Sequence, residues 1–244
     1  MKIRTSSFNL GIYAKGTLAA DKLALVCPGL LDTKDYPHMR SHVEFLAERG
    51  YYAVSFDPPG TWESDGDINL YTTSNYLKAI FELIEYFDSP PTFIMGHSMG
   101  GSMSMYAAVR SDTVKAFAAI MSAPSFVRED NYDERVTRWQ EAGIKLSYRD
   151  LPDDPAKKKE FRLPFSFSED SRQYTAIEDL KTLTKPKLFV AGNKDTSVPV
   201  QIVKDAYRLA ANPKELHILK SGHDYRRHPR MIKEVNQIVG NFLQ

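Results

Sequence analysis

Thr92-Phe93-Ile94-Met95-Gly96-His97-Ser98-Met99-Gly100-Gly101 is the stretch on which the fold turns. Thr92 to Met95 is short, apolar and ends at a glycine, as a buried strand does, and a helical run over Met99 to Arg110 follows directly. The Gly-x-Ser-x-Gly between them requires a tight strand-to-helix turn. Its serine adopts a strained backbone, so the flanking residues must be small enough to clear neighbouring main chain. Gly96, Gly100 and Gly101 supply that room. The turn lifts the Ser98 hydroxyl clear of a sheet, and the helix directs its positive end towards the same place.

Outward from this turn the pattern repeats. Leu23 to Cys27, Tyr51 to Phe56, Ala116 to Met121, Lys187 to Ala191 and Leu216 to Leu219 are further short apolar runs closed by Gly, Pro, Asp or Ser. Between them lie stretches of helical period: His38 to Arg49, Thr73 to Phe87, Val200 to Ala211 and Arg230 to Phe242. Pro90-Pro91 stops the second, and Gly50 suits the end of the first. Strand and helix in alternation predict an α/β protein with a mostly parallel sheet of about eight strands, Ile3 to Lys15 adding one or two antiparallel strands at an edge. The rhythm breaks at residues 125–175, where charged residues and Pro crowd around Trp139, Tyr148, Phe161, Phe165 and Phe167. That segment has too few regular apolar positions for a domain of its own, so it is expected to be a cap inserted into one core domain, 1–124 and 176–244. Its Lys157-Lys158-Lys159 run is expected to be a solvated face.

Composition narrows the classes. The chain has 244 residues, 42% hydrophobic and 26% charged, as in ordinary globular proteins, and 32 basic residues balance 31 acidic ones. A formal charge of +1 does not demand the strongly basic face of a nucleic-acid binder. No apolar run approaches the roughly 20 residues that span a bilayer, and Met1 to Leu10 lacks a secretory signal's apolar segment, so the expected location is cytoplasmic. Cys27, the one cysteine, can form neither an internal disulfide nor a zinc cluster and is expected to be a buried, inert thiol. No metal or cofactor is implied: Asp65, Asp67 and Asn69 faintly suggest calcium, but Tyr76 stands where such a loop needs a carboxylate.

A serine hydroxyl is a poor nucleophile at neutral pH and needs a base, for which imidazole is suited. Of six histidines, His97 neighbours Ser98 on a turn where side chains diverge, His217 falls within a strand, and His38 and His42 belong to an early helix. His223, in Ser221-Gly222-His223-Asp224, follows the last strand on a loop at the strand's C-terminal end, where α/β sites are built; His228 is the reserve. Asp195, just beyond the strand Lys187 to Ala191, is placed to fix the imidazole's tautomer, whereas Asp224 should point the wrong way. The order Ser98, Asp195, His223 is the α/β-hydrolase order. A developing oxyanion needs backbone N–H donors. Met99, which follows the serine, is one. Leu30, in the loop Pro28-Gly29-Leu30-Leu31, is the other, since Pro28 has no N–H to offer.

With these parts in order, nearly the whole chain resembles the α/β-hydrolase superfamily of serine esterases, among them the small capped cinnamoyl and feruloyl esterases and the monoacylglycerol lipase-like enzymes. Pro28-Gly29-Leu30 takes the place of their His-Gly-aromatic oxyanion loop, Pro28 replacing the histidine. Phe56-Asp57-Pro58-Pro59-Gly60-Thr61-Trp62-Glu63-Ser64-Asp65-Gly66 looks like their Asp-x-x-Gly-x-Gly-x-Ser-x-Gly turn, with Trp62 where glycine is usual, and residues 96–101 match their elbow. The resemblance implies a carboxylic ester hydrolase that acts through an acyl-enzyme on a small-molecule ester and water, as a monomer or homodimer. Leu31, Trp62, His97 and Trp139 are candidates to contact a small to medium acyl or aryl group. The alternatives are an amidase or acyl-peptidase with the same triad, cofactor-free perhydrolysis, and a non-catalytic ligand-binding protein on a hydrolase scaffold.

Overall fold

The computed structural model describes residues 1–126 and 134–244. In chain order the strands are β1 (Lys2–Arg4), β2 (Asn9–Lys15), β3 (Leu23–Cys27), β4 (Tyr52–Phe56), β5 (Thr92–His97), β6 (Val114–Ile120), β7 (Ile144–Asp150), β8 (Lys158–Pro164), β9 (Lys187–Gly192) and β10 (Lys214–Leu219). The helices are α1 (Pro37–Ala47), α2 (Thr73–Tyr86), α3 (Met99–Arg110), α4 (Glu134–Ala142), α5 (Ser166–Ser171), α6 (Ile177–Leu180), α7 (Val200–Leu209) and α8 (Pro229–Phe242). Eight strands form one sheet in the order β1-β2-β4-β3-β5-β6-β9-β10. From β4 to β10 every pairing is parallel, while β2 runs antiparallel to β4 and β1 antiparallel to β2. The expected α/β-hydrolase architecture is present, with the antiparallel edge where Ile3 to Lys15 predicted it.

Side-chain alternation explains why the inner strands are apolar throughout. Leu23, Leu25 and Cys27 of β3 pack with α2, α3 and α7 on one face, through Leu77, Ile80, Met103 and Val203. Ala24 and Val26 pack with α1 and α8 on the other, through Met39, Val43, Val235 and Val239. Each fully buried aliphatic side chain contributes about 1.5–3 kcal/mol. Cys27 lies in this core, where burial pushes its thiol up to about 12. It is a packing residue. The helix stop signals act as the sequence suggests: Gly50, with φ +81°, lies just past α1, and Pro90-Pro91 intervene between α2 and β5.

The chain leaves the sheet after β6 and returns before β9, and a bridge between Ser125 and Thr175 joins the two connections. Within that excursion β7 and β8 pair antiparallel, Ser147 opposite Phe161 and Arg149 opposite Lys159. One face of the hairpin carries Phe161 and Leu163 into the core, while Ile144, Leu146 and Tyr148 face solvent. Lys159 departs from the expected solvated run. It is half-buried, its ammonium 5.1 Å from the Trp62 ring and 5.3 Å from that of Phe161, and burial lowers its pKa. The period of two in β8 turns it to the same side as Phe161.

Candidate active site

Ser98 sits between β5 and α3 with φ 54° and ψ −123°, a backbone conformation costly for any residue with a side chain. Close packing on every side holds it. A Cβ on Gly96 would strike the main chain of Gly100 and Gly101, and one on Gly100 would come within 2.6 Å of the Pro28 oxygen and nearer still to that of Cys27. The Ser98 N–H donates to the Ile120 carbonyl at 2.9 Å, and the Ser122 hydroxyl donates to the Ser98 carbonyl at 2.6 Å. β6 therefore braces the turn from the side.

Asp195 and His223 lie beyond the C-terminal ends of β9 and β10, adjacent strands on the same side of β5. His223 Nε2 is 2.9 Å from Ser98 Oγ, and its Nδ1 is 2.8 Å from Asp195 Oδ2. The other oxygen, Asp195 Oδ1, accepts the N–H groups of Ser197 and Val198, both at 2.8 Å. Burial alone would raise the Asp195 pKa, but the His223 hydrogen bond and the two amides outweigh it and hold the carboxyl below its usual range. A fixed carboxylate on Nδ1 selects the tautomer with its lone pair on Nε2, facing the serine. Asp224 turns away and pairs with Arg226 at 2.9 Å.

Leu30, Ser98, Met99 and His223 share a cavity of about 230 Å³, with Ser102, Ala123, Ser125, Phe126, Phe167, Ser197 and Val198 as its other walls. Among the described residues, neither the Leu30 N–H nor the Met99 N–H is spent on a main-chain acceptor. The loop that carries Leu30 is pinned on both sides. Its Pro28 carbonyl accepts from Tyr76 Oη at 2.9 Å, the Leu31 N–H donates to Tyr71 Oη at 2.9 Å, and the Leu31 carbonyl accepts from Trp62 Nε1 at 2.9 Å.

Four expected substrate contacts fall elsewhere. Leu31 has φ +56° and is wholly buried beneath the loop, its side chain in the core. Trp62, also at positive φ, spends its indole N–H on Leu31 and stacks edge-on with Tyr36 and Phe161, so it braces the loop away from the cavity. Trp139 packs on Phe165 and Phe167 and donates to the Leu163 carbonyl at 3.1 Å. His97 lies beneath the histidine loop: its Nε2 donates to the His223 carbonyl at 2.8 Å, and burial pushes its pKa down to about 3, which keeps it neutral. Nothing in the local sequence distinguished a supporting role from a lining one for these four. Nor could it disclose Tyr71, Tyr76 or Phe167, whose positions depend on α2 and the insertion closing over the loop.

Among the described residues, two side-chain groups could approach a cation. Asp32, His38 and His97 offer donor atoms within 4.8 Å of one another, but the Asp32 carboxylate already meets Arg226 at 3.2 Å and Arg149 at 3.3 Å. The positive charge of those guanidiniums opposes a cation there. Asp35, Asp57 and Glu63 are satisfied by the Lys34 ammonium, 2.5, 3.3 and 2.8 Å away. Asp65 accepts from Asn9 at 2.6 Å and Asp67 from the Asn69 N–H at 2.8 Å.

A mostly parallel eight-stranded sheet, with a serine on a strained elbow and an acid and a histidine beyond later strands, defines a hydrolase of the α/β class. Residues 24–174 match the family model described as alpha/beta hydrolase fold, and the chain belongs to that family. It is 25% identical over 200 residues to the mitochondrial palmitoyl-protein thioesterase ABHD10 of Mus musculus, covering 82% of this chain and 67% of that protein. It spans 56% to 67% of the length of the ABHD10 relatives it matches. Among solved structures it resembles ferulic acid-bound Est1E from Butyrivibrio proteoclasticus, with a TM-score of 0.76 and 21% identity, covering 100% of this chain and 97% of that one. It also resembles the monoacylglycerol lipase of Paleococcus ferrophilus, with a TM-score of 0.76 and 19% identity, covering 96% and 98%. Among the described residues no helix is long and apolar enough to cross a membrane.

Proposed function

We propose that this hydrolase cleaves carboxylic esters through an acyl-enzyme on Ser98. The observation that carries this reading is the continuous chain from Ser98 Oγ through both nitrogens of His223 to Asp195, at 2.9 and 2.8 Å. Ser98 Oγ attacks the ester carbon while its proton passes to His223 Nε2. The carbonyl oxygen becomes an oxyanion facing the Leu30 and Met99 N–H groups. As the tetrahedral adduct collapses, the bond to the leaving oxygen breaks and His223 hands that oxygen the proton, releasing the alcohol. Water repeats the sequence on the acyl-enzyme: His223 takes its proton as its oxygen bonds to the acyl carbon, then the bond to Ser98 Oγ breaks, His223 returns the proton to Oγ, and the acid departs. Asp195 stays ionised throughout and stabilises the imidazolium.

The cavity, about 230 Å³ and walled by Leu30, Met99, Phe126, Phe167 and Val198, is smaller than the roughly 300–1,000 Å³ of sites for drug-sized ligands, which favours a short acyl or aryl group. The same steps serve a thioester, and the thioesterase name carried by ABHD10 favours testing a sulfur leaving group beside the oxygen one. A fluorophosphonate probe should label the wild type at Ser98 and fail to label Ser98→Ala. No label on the wild type overturns the reading. Nitrophenyl esters of rising acyl length, run beside a feruloyl ester, a monoacylglycerol and a short acyl thioester, then rank the substrates.

A further inference from the structure

The β7–β8 hairpin sets two cations side by side on its inner face. Arg149 and Lys159 stand directly opposite each other, on the face that also carries Phe161 and Leu163. Like charges in register are unfavourable across a hairpin, so each calls for an acceptor on the body beneath. Lys159 has the field of Asp57, while Arg149 has a closer and more directional partner. Its Nε and Nη2 both donate to the Leu30 carbonyl, at 3.0 and 2.5 Å, and its Nε lies 3.3 Å from the Asp32 carboxylate.

The Leu30 carbonyl and the Leu31 N–H belong to one rigid peptide plane. Arg149 holds the oxygen edge of that plane and Tyr71 Oη the hydrogen edge. The next plane is also held at both edges, its carbonyl by Trp62 Nε1 and its Asp32 N–H by the Gly29 carbonyl. The Leu30 N–H itself lies in the preceding peptide plane, whose Gly29 carbonyl accepts the Asp32 N–H at 3.1 Å, so the plane that carries the donor is tied through Asp32 to the two planes that Arg149, Tyr71 and Trp62 hold. Tyr71, Tyr76 and Trp62 belong to the sheet and its connections, so among the described side chains on this loop's main chain Arg149 is the one that comes from the hairpin. The hairpin is in turn fastened to the His223 loop. Arg227 donates from Nε to Asp150 at 2.8 Å, and Arg226 spans Asp32 at 3.2 Å and Asp150 at 3.3 Å.

We propose that Arg149 is a positioning residue for the oxyanion loop: its guanidinium clamps the Leu30 carbonyl, so that the Leu30 N–H is presented to the reacting carbonyl only while the β7–β8 hairpin is docked. This rests on the ester-hydrolase reading for its kinetic consequence but not for the clamp itself. Arg149 touches no reacting atom. It acts through the linked peptide planes of Gly29 to Asp32, and loss of alignment is felt when the oxyanion forms.

The test uses the full chain with Arg149→Ala and Arg149→Lys. On a short nitrophenyl ester, Arg149→Ala should lower kcat by about 10- to 100-fold, the range expected of a donor displaced by an ångström, while KM stays within about threefold. The inhibition constant of a boronic acid, which forms a tetrahedral anion on the serine, should rise by the same factor as kcat falls. Added methylguanidine should recover part of the lost kcat in Arg149→Ala and do nothing for the wild type. Arg149→Lys, which keeps the charge but not the fork, should fall between the two. Unchanged kcat, or a kcat loss with unchanged boronate affinity, overturns the proposal. Hydrogen exchange in the Ser98→Ala background separates this from failure of the functional reading. With Arg149 also replaced by Ala or Lys, the Leu31 and Asp32 amides should exchange faster than in Ser98→Ala alone, whether or not the enzyme cleaves esters. Exchange rates identical to the Ser98→Ala parent overturn the clamp on their own.

Discussion

Two loops meet at Ser98, and they are held in opposite ways. The elbow, Gly96 to Gly101, keeps a strained serine in place because atoms have been removed: its glycines let main chain touch main chain. The loop from Pro28 to Asp32 is held because partners have been added, from Tyr71, Tyr76, Trp62 and Arg149, 31 to 119 residues away along the chain. A conformation enforced by crowding is broken by any added atom, and one enforced by remote hydrogen bonds is loosened by any lost group. The first kind of site is written into adjacent residues. The second exists only once the chain has folded.

Substitutions should divide along that line, and the largest effect belongs to the elbow's chemistry. Ser98→Ala or His223→Ala should lower kcat by on the order of 10⁴ or more, and Asp195→Asn by about 10⁴ through the wrong imidazole tautomer, with melting temperatures close to wild type. An Asp195→Asn variant at full rate would show that another acid serves His223. Gly100→Ala comes next. Its methyl has no space between the Cys27 and Pro28 carbonyls, so a loss of about 3 kcal/mol in denaturant unfolding is expected, and a variant as stable as wild type would refute the crowding argument.

Acid tests the ground beneath the elbow. His97 is depressed to about 3 and His42 to about 4, and His38 lies well below its ordinary value, all through burial. A lowered histidine pKa means that the unfolded chain binds protons the folded one refuses. Stability is therefore complete above pH 6.5 and falls as the medium is acidified towards the folded values. Three such groups predict a loss of about 2 kcal/mol between pH 7 and pH 6, steepening below, in urea melts. A flat stability over that unit would mean that the three rings are not buried neutral. The smallest effect should come from the second loop. Tyr71→Phe strips one partner from the Leu31 N–H, costing about 1 kcal/mol of stability and about tenfold in kcat, with KM nearly unchanged. If Tyr71→Phe were as damaging as Gly100→Ala, the two loops would not differ in kind.

The difference also accounts for what could be foreseen. That Ser98, Asp195 and His223 would lie near one another could be expected because each follows a recognisable strand, and parallel strands put their C-terminal ends on one edge, where the three side chains meet. The place of Met99 beside Ser98 in the cavity follows from the elbow alone. Leu31, Trp62, His97 and Trp139 were expected at the substrate and lie outside the walls of the Ser98 cavity, because residue type and loop position do not reveal which way a side chain faces. Lys159 was expected in solvent for the same reason, and Arg149 gave no sign of importance among the charged residues of its segment.

Adjacent residues suffice where the constraint is local: hydrophobic period for the strands and helices, glycine spacing for the elbow, strand order for the edge on which Asp195 and His223 emerge. Everything that holds the loop from Pro28 to Asp32, from the Tyr71 and Tyr76 hydroxyls to the Arg149 fork, came from packing between segments far apart in the chain. Hydrogen-bond direction depends on ångström-scale placement of whole elements, and no window of sequence carries that information.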